Sequence, residues 1–562
     1  ILPGLTLRAN YSIDNSFREN GRGVSDPNQP VKKWIDPDSG NMIFDPIDLS
    51  TNMDQMDMIR WSNQSGSVDK GATYRRVNYS GQINYATSIG KHDISATGVF
   101  LREKFARGSE FARYREDWVF RTVYDYDRRY LFEANGAYNG SEKFGPDNRF
   151  DFFPSLAAGW IISNEKFMEN VKFVRNLKLR ASWGKIGDDS GGGRWLYNDQ
   201  WSFGGNTEMG SPLQSTPYTF YRISTLGNPY IAWEKVEKQN FGIEYSLFNG
   251  LISGDIDFFK DLRTDILISG GSRAVPSYFG QSAPIANLGS VEGKGYEFTL
   301  NLNHRLSSDL RLWANTSMTY AKNTILFRDD PALLPDYQKQ QGTQLGQYRA
   351  FLDHGYLQTW DDIYGSTVRT SNDNMKLAGD YNIIDFNADG VIDRFDSTPY
   401  EYSGSPRNTY NATIGAEWKN LSFFLQFYGV NNVTREVTFP TFNTYSGSNV
   451  AYVEGTYWTK ENGGGEVPLP RYSSANPFGG EGTRYLYDGS YLRLKNAELA
   501  YTFKGATVKK LGLSSCRFYL NGNNLLLWTK MPDGRESNFA AGSSGGAYPT
   551  VRRYNMGLDI TF

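Results

Sequence analysis

The chain has 562 residues with 59 basic and 61 acidic side chains, so no positive surplus exists to neutralise nucleic-acid phosphates. Its single cysteine, Cys516, excludes an internal disulfide and reads as a buried small apolar residue. Only 39 % of residues are hydrophobic, yet 15 % are aromatic and 58 are glycine. That balance suits a membrane β-barrel, in which one face of each strand meets lipid and aromatics gather at the interfaces. No run of about 18 apolar residues occurs, which excludes a transmembrane helix. The chain opens on Ile1-Leu2-Pro3-Gly4, without an initiator Met or a basic segment followed by an apolar one, so a signal peptide is expected to be absent or already removed.

Taken in chain order, the first alternating segments are Tyr79, Gly81, Ile83, Tyr85 and then Ile94, Ala96, Gly98, Phe100, with a turn at Ser88–Lys91 between them. Residues 240–247 and 251–259 flank Phe248-Asn249-Gly250 in the same manner. Tyr296, Phe298, Leu300, Leu302 lead through Ser307-Ser308 to Leu310, Leu312, Ala314, Thr316, Met318. Tyr410, Ala412, Ile414, Ala416, Trp418 run to a turn at Lys419-Asn420, and Leu421, Phe423, Leu425, Phe427 run back. Strict period two predicts strands with one apolar face. Each pair reads as a transmembrane hairpin with strands of about ten residues. The last segment alternates most cleanly: Tyr554, Met556, Leu558, Ile560 and the terminal Phe562 are apolar, and the residues between are small or polar. A terminal strand of this kind is expected to serve as the membrane-insertion signal.

Between the hairpins lie long stretches rich in Gly, Ser, Asn, Asp and Pro, at about 12–71, 187–228, 269–287, 324–407, 433–488 and 530–550. Short turns on one side and long loops on the other give the polarity of an outer-membrane barrel, with periplasmic turns and extracellular loops. The expected fold is all-β: a transmembrane antiparallel barrel occupying residues 1–562, with about 16 strands.

Few residues carry recognisable chemistry. Asp385, Asn387, Asp389, Val391, Asp393 and Asp396 have the spacing of an EF-hand-type loop, with Val391 offering its carbonyl and Gly390 at the sharp turn. Position 12 is Asp396 rather than Glu, one methylene shorter, which weakens bidentate ligation and brings Mg²⁺ into play; Ca²⁺ is still the favoured ion, in a structural role, and an Asx-rich turn without an ion is the alternative. Aromatics in the loops (Trp195, Tyr197, Trp201, Phe203, Tyr218, Tyr221, Tyr348, Tyr356, Trp360 and Tyr364) are candidates for a substrate vestibule, since flat rings stack on sugars and accept peptides. For any single one, loop packing is the alternative. The three histidines are dispersed: His92 and His304 beside short turns, His354 next to Asp353 in a loop. The one G-x-S-x-G, from Gly542 to Gly546, sits in a Gly/Ser loop with no helix after it. No enzyme is expected, and no organic cofactor.

Several segments in order resemble the SusC/RagA family of TonB-dependent transporters. They are Phe144–Arg149 with Phe153–Trp160, Asn176–Gly184, Asn228-Pro229 through Trp233-Glu234-Lys235, and Asn287–Gly295. Tyr457-Trp458-Thr459 follows, with Glu461-Asn462 and Pro470-Arg471, then Asp488–Asn496 (DGSYLRLKN) and Asn521–Leu525 with Trp528-Thr529-Lys530. The resemblance implies about 16 strands of a 22-stranded barrel, with the TonB box, plug domain and first strands of the family not recognisable here. It implies TonB-driven import of bulky nutrients, oligosaccharides or peptides, across the bacterial outer membrane. A SusD-like surface lipoprotein would act as a lid, and transporter–lipoprotein pairs often form dimers. The alternatives are a passive porin-like channel and a non-transporting structural or adhesive barrel.

Overall fold

The computed structural model describes residues 3–20, 31–35, 38–39, 42–45, 67–206, 218–366, 369–370, 376–436, 457–465, 468–469, 482–483, 486–505, 508, 510, 512–531 and 550–562. The Gly542–Gly546 motif and Pro470-Arg471 lie outside them.

Sixteen strands form one sheet. In chain order they are β1 (Leu5–Ser16), β2 (Tyr74–Ile89), β3 (His92–Arg107), β4 (Arg113–Tyr126), β5 (Tyr130–Ser141), β6 (Phe150–Ile161), β7 (Val174–Asp188) and β8 (Glu234–Leu247). There follow β9 (Ile252–Ile268), β10 (Ala286–Arg305), β11 (Leu310–Phe327), β12 (Asn408–Trp418), β13 (Leu421–Asn431), β14 (Tyr491–Phe503), β15 (Ser515–Thr529) and β16 (Arg553–Thr561). Each pairs antiparallel with its chain neighbours, so the sheet is an up-and-down meander. Among the described residues β1 and β16 each have one partner strand. In hydrocarbon such edges must be paired, by each other or by further strands.

The strands exceed the ten residues that alternation predicts: β10 has 20 and β11 has 18. Alternation marks only the stretch that meets lipid, about 25 Å tall, whereas backbone pairing continues above it.

Register lines up the two faces. One apolar row runs Leu7, Ile83, Gly98, Phe120, Gly136, Pro154 across β1–β6. Another runs Phe241, Phe258, Tyr296, Tyr320 across β8–β11. At the far side Phe518, Leu520 and Gly522 face Leu558, Met556 and Tyr554. Cys516 pairs with Ile560 on this same face and is half-buried, not core as the sequence suggested, because a lipid-facing position has no protein layer over it.

The abundance of glycine beside aromatics has a direct cause in this face. Phe120 lies opposite Gly136, and its ring fills the space above it: a Cβ there would sit 2.2 Å from Phe120 Cζ. Phe150 covers Gly140 in the same way, and on the opposite face Tyr519 covers Gly557 and Trp313 covers Gly415. Gly136→Ala is therefore expected to destabilise by about 1–3 kcal/mol through overpacking. Gly81→Ala, with nothing within 4 Å of its would-be Cβ, should be close to neutral. The temperature at which the barrel loses its compact gel mobility separates the two.

Candidate functional site: extracellular mouth and polar wall

The opposite face is polar. On β4–β6, Arg121 donates to Glu133 at 3.0 and 2.8 Å, Asn135 donates to Glu133 at 2.9 Å, and Asn135 also donates to Ser155 at 3.2 Å. On β7–β9, Lys178 and Arg180 converge on Glu244 at 3.1 Å each, and Arg180 reaches Asp257 at 2.6 Å. On β12–β16 the groups are amides. Gln426 donates to Asn411 at 3.1 Å, Asn496 to Gln426 at 2.5 Å, Asn523 to Asn496 at 2.6 Å, and Asn555 to Asn521 at 2.8 Å. This amide ladder crosses five strands. It was not singled out from sequence, because its members become neighbours only through register. The available signal was the polar phase of each alternating strand.

Above the sheet, three packed clusters fix the loops. The first gathers Phe144, Phe153, Leu196, Ile231 and Trp233. Trp233 is 1 % exposed, with its indole N–H donating to the Arg149 carbonyl at 3.2 Å. Asn287 clamps the same place: it accepts from the Ala232 N–H at 3.0 Å and donates to the carbonyls of Ala232 and Asp265. Glu234 is buried, ion-paired with Arg263, and accepts from the Leu267 N–H at 3.0 Å. Four of the segments quoted from sequence thus meet at one joint.

The second cluster lies inside the 324–407 loop: Phe351, Tyr356, Tyr381, Ile383 and Ile392, completed by Trp458 from the next loop. Trp458 donates to Gln358 Oε1 at 3.0 Å. A short helix, α1 (Trp360–Gly365), opens beside it on a Thr359–Asp362 capping box. Backbone N–H groups of Thr359 and Gln358 each donate to Asp362 at 2.8 Å and hold its carboxyl below the usual range. A depressed folded-state pKa contributes stability that is complete above the ordinary carboxylate range, near 4, and is lost as pH falls through the folded value. Hydrogen exchange at the Gln358 and Thr359 amides, taken relative to the intrinsic rate at each pH, should therefore become faster in acid. Asp362→Asn should show the faster rate already at neutral pH.

The third cluster, Val430, Val433 and Tyr491, seats the DGSYLRLKN segment, where Lys530 reaches Asp488 at 3.0 Å.

The loop aromatics divide. Trp201, Phe203 and Tyr221 are exposed on a hairpin of Gln200–Asn206 with Thr219–Thr225, with Phe203 and Tyr221 in edge contact at 6.1 Å. Tyr218, which directly precedes Thr219, is also exposed. Trp360 stacks on Tyr364 along α1, both exposed. Trp195 is held by Arg194 at 4.3 Å and by the edge of Phe111, while Tyr197 and Tyr348 are half-buried. Tyr356 departs from the vestibule expectation: it is 6 % exposed and stacks on Tyr381 as part of the loop core. Residue type alone does not separate a ring that packs a loop from one that faces solvent.

No protein-family model matches the chain. Among curated proteins it is 29 % identical over 465 residues to TonB-dependent receptor P26 of Formosa agariphila, covering 79 % of this chain and 45 % of that one. To TonB-dependent receptor SusC of Bacteroides thetaiotaomicron it is 26 % identical over 531 residues, covering 86 % and 50 %. The solved structure of the RagAB peptide transporter superposes with a TM-score of 0.65 at 21 % identity, covering 87 % of this chain and 56 % of that one. The chain is a SusC/RagA-like outer-membrane β-barrel. It spans about half the length of the curated relatives it matches.

In this SusC/RagA-like barrel the Asp385–Asp396 loop is held largely by its own backbone. Asp396, fully buried, accepts N–H groups from Phe386 at 2.8 Å, Asn387 at 3.3 Å and Asp393 at 2.7 Å. Asp385 accepts from Asp389 and Gly390, and Gly390 takes φ +86°, as position 6 of such a loop requires. Among the described residues no group of three carboxylate, His or Cys side chains gathers closely enough to hold an ion. The residues best placed for one are Asp385, Asn387, Asp389 and Asp393, with the Val391 carbonyl; Asp396 is committed to the backbone. The relatives reported above are named as receptors and transporters. His92 makes a 2.8 Å hydrogen bond with the Tyr124 hydroxyl rather than with a nucleophile and acid.

Proposed function

We propose that this chain is the barrel portion of a TonB-dependent importer that carries bulky nutrients, oligosaccharides or peptides, across the outer membrane. The observation that carries this reading is the joint likeness in sequence and fold to SusC-type receptors over four-fifths or more of the chain. The polar wall supplies a hydrated path for hydroxyls and peptide groups. The exposed pairs Phe203–Tyr221 and Trp360–Tyr364 supply flat faces at its entrance. A SusD-like lipoprotein would cap the loops and TonB would act through a plug. The apolar series Tyr554, Met556, Leu558, Ile560, Phe562 would be read during membrane insertion.

Deletion of the gene, followed by growth on oligosaccharides and on peptides as sole carbon source, tests the reading. Loss of growth on one class, with uptake abolished by a protonophore, is expected. Protonophore-insensitive uptake would instead mark a passive pore, and unimpaired growth on every substrate a structural barrel.

The 385–396 loop is further proposed to take Ca²⁺, or Mg²⁺ in its place, as a structural ion. Adding Ca²⁺ to chelated protein should slow amide exchange across 385–393. No change at millimolar Ca²⁺ would remove the ion from the account.

A further inference from the structure

The apolar face changes character at its extracellular margin. On β9 the same-face series Ile252, Ile256, Phe258 is followed by Lys260; on β10 Leu302, Leu300, Phe298, Tyr296 is followed by Lys294; on β11 Leu312, Ala314, Met318, Tyr320 is followed by Lys322. Register sets the aromatics in one line, Phe258–Tyr296–Tyr320, and the lysines in the next, Lys260–Lys294–Lys322. Lysines directly opposite one another repel, so a row of three is costly without an anion between them. Glu292 lies 2.8 Å from Lys260 and 3.0 Å from Lys294. Lys322 is exposed and has no ion pair among the described residues. Two positive charges are left over.

Elsewhere on this margin the cations are paired or stand singly: Lys104 on β3 is exposed and lies over the Tyr114 ring at 5.7 Å, with no ion pair among the described residues. Arg102 faces Glu116 at 3.9 Å on β3–β4, and Lys185 is in register with Glu237 on β7–β8. The uncompensated row is confined to β9–β11. These lysines lie 8 to 12 residues from the turn-side ends of their strands. With tilted strands that is roughly 20–30 Å up, the height of the lipid phosphates above an apolar band of about 25 Å. At the turn-side ends the same face carries Ile252, Leu302 and Leu312, with no matching basic row.

We propose that the Lys260–Lys294–Lys322 row is a binding site for a phosphorylated glycolipid of the outer leaflet. Its phosphates would sit between the lysines and its acyl chains would run down over Phe258, Tyr296 and Tyr320. Lysine serves here as a point charge for phosphate. The row reads a negative headgroup at a fixed height, and the aromatic line beneath it marks the interface.

The test uses the intact protein from outer membranes, reconstituted in phosphatidylcholine nanodiscs with a small fraction of diphosphoryl lipid A. Native mass spectrometry reads the lipid A retained. The triple variant Lys260→Gln, Lys294→Gln, Lys322→Gln is expected to retain about tenfold less, while the triple Lys→Arg variant keeps wild-type retention. Dephosphorylated lipid A should bind wild type and the Gln variant alike. Equal retention of diphosphoryl lipid A by wild type and the Gln variant would overturn the proposal. Full displacement by millimolar inorganic phosphate would also overturn it, by making the row a free-anion site. Compact gel mobility confirms folding; should the triple variant misfold, Lys322→Gln alone, which breaks no ion pair, is expected to lower retention measurably.

Discussion

Trp233→Ala should destabilise the protein by about 3–5 kcal/mol, the range for deleting a buried aromatic. The ring packs against Phe144 at 5.2 Å and Phe153 at 5.4 Å, so its loss opens a cavity among residues that rigid strand ends cannot bring together. The indole N–H also satisfies the Arg149 carbonyl. Trp233→Phe keeps most of the apolar contact and loses that bond, so about 1–2 kcal/mol is expected for it. The effect is not confined to one loop. Phe144 and Phe153 bracket the β5–β6 connection, Leu196 belongs to the β7–β8 loop, and Glu234 next to Trp233 anchors Arg263 of β9. The variant should therefore lose compact gel mobility at markedly lower temperature and become sensitive to proteolysis in the β7–β8 loop. A thermal midpoint within a degree of wild type would show that the joint does not support the barrel.

That joint also shows what was legible in the sequence. Period two along Tyr79–Tyr85, Tyr296–Leu302 and Tyr554–Phe562 specified strands, faces and a strand number of about 16, because alternation is a local property that lipid on one side enforces. The segments Phe144–Arg149, Trp233-Glu234 and Asn287 could be recognised one by one. That they form a single packed knot could not, since residues more than 140 positions apart meet there. The amide ladder from Asn411 to Asn555 was hidden for the same reason. A one-residue change of register would dissolve it while leaving every strand assignment intact. Tyr356 shows a further limit. An aromatic in a long loop reads as exposed until the loop is seen to have a core of its own, which here takes Trp458 from the following loop.

Asp396→Ala is expected to unfold that loop core locally. The carboxylate is fully buried, and it has no ion pair among the described residues; it is satisfied by backbone donors alone. Leaving those N–H groups without acceptors costs about 1–3 kcal/mol for each that water does not reach, which rivals what so small a cluster gains from packing. Amide exchange across 381–396 should accelerate by about tenfold or more, while the strands of the sheet keep their protection. Asp396→Asn should do nearly as much damage, although it is isosteric. Its oxygen can still accept from Phe386 and Asn387, but its amide group then points two hydrogens at the Asp393 N–H. The exposed Asp389 separates backbone support from ion binding. Asp389→Asn should leave the apo loop intact and blunt any protection that Ca²⁺ adds. Asp396→Ala should be equally disordered in chelator and, at modest Ca²⁺, only partly restored, because the lost contacts are to the chain itself.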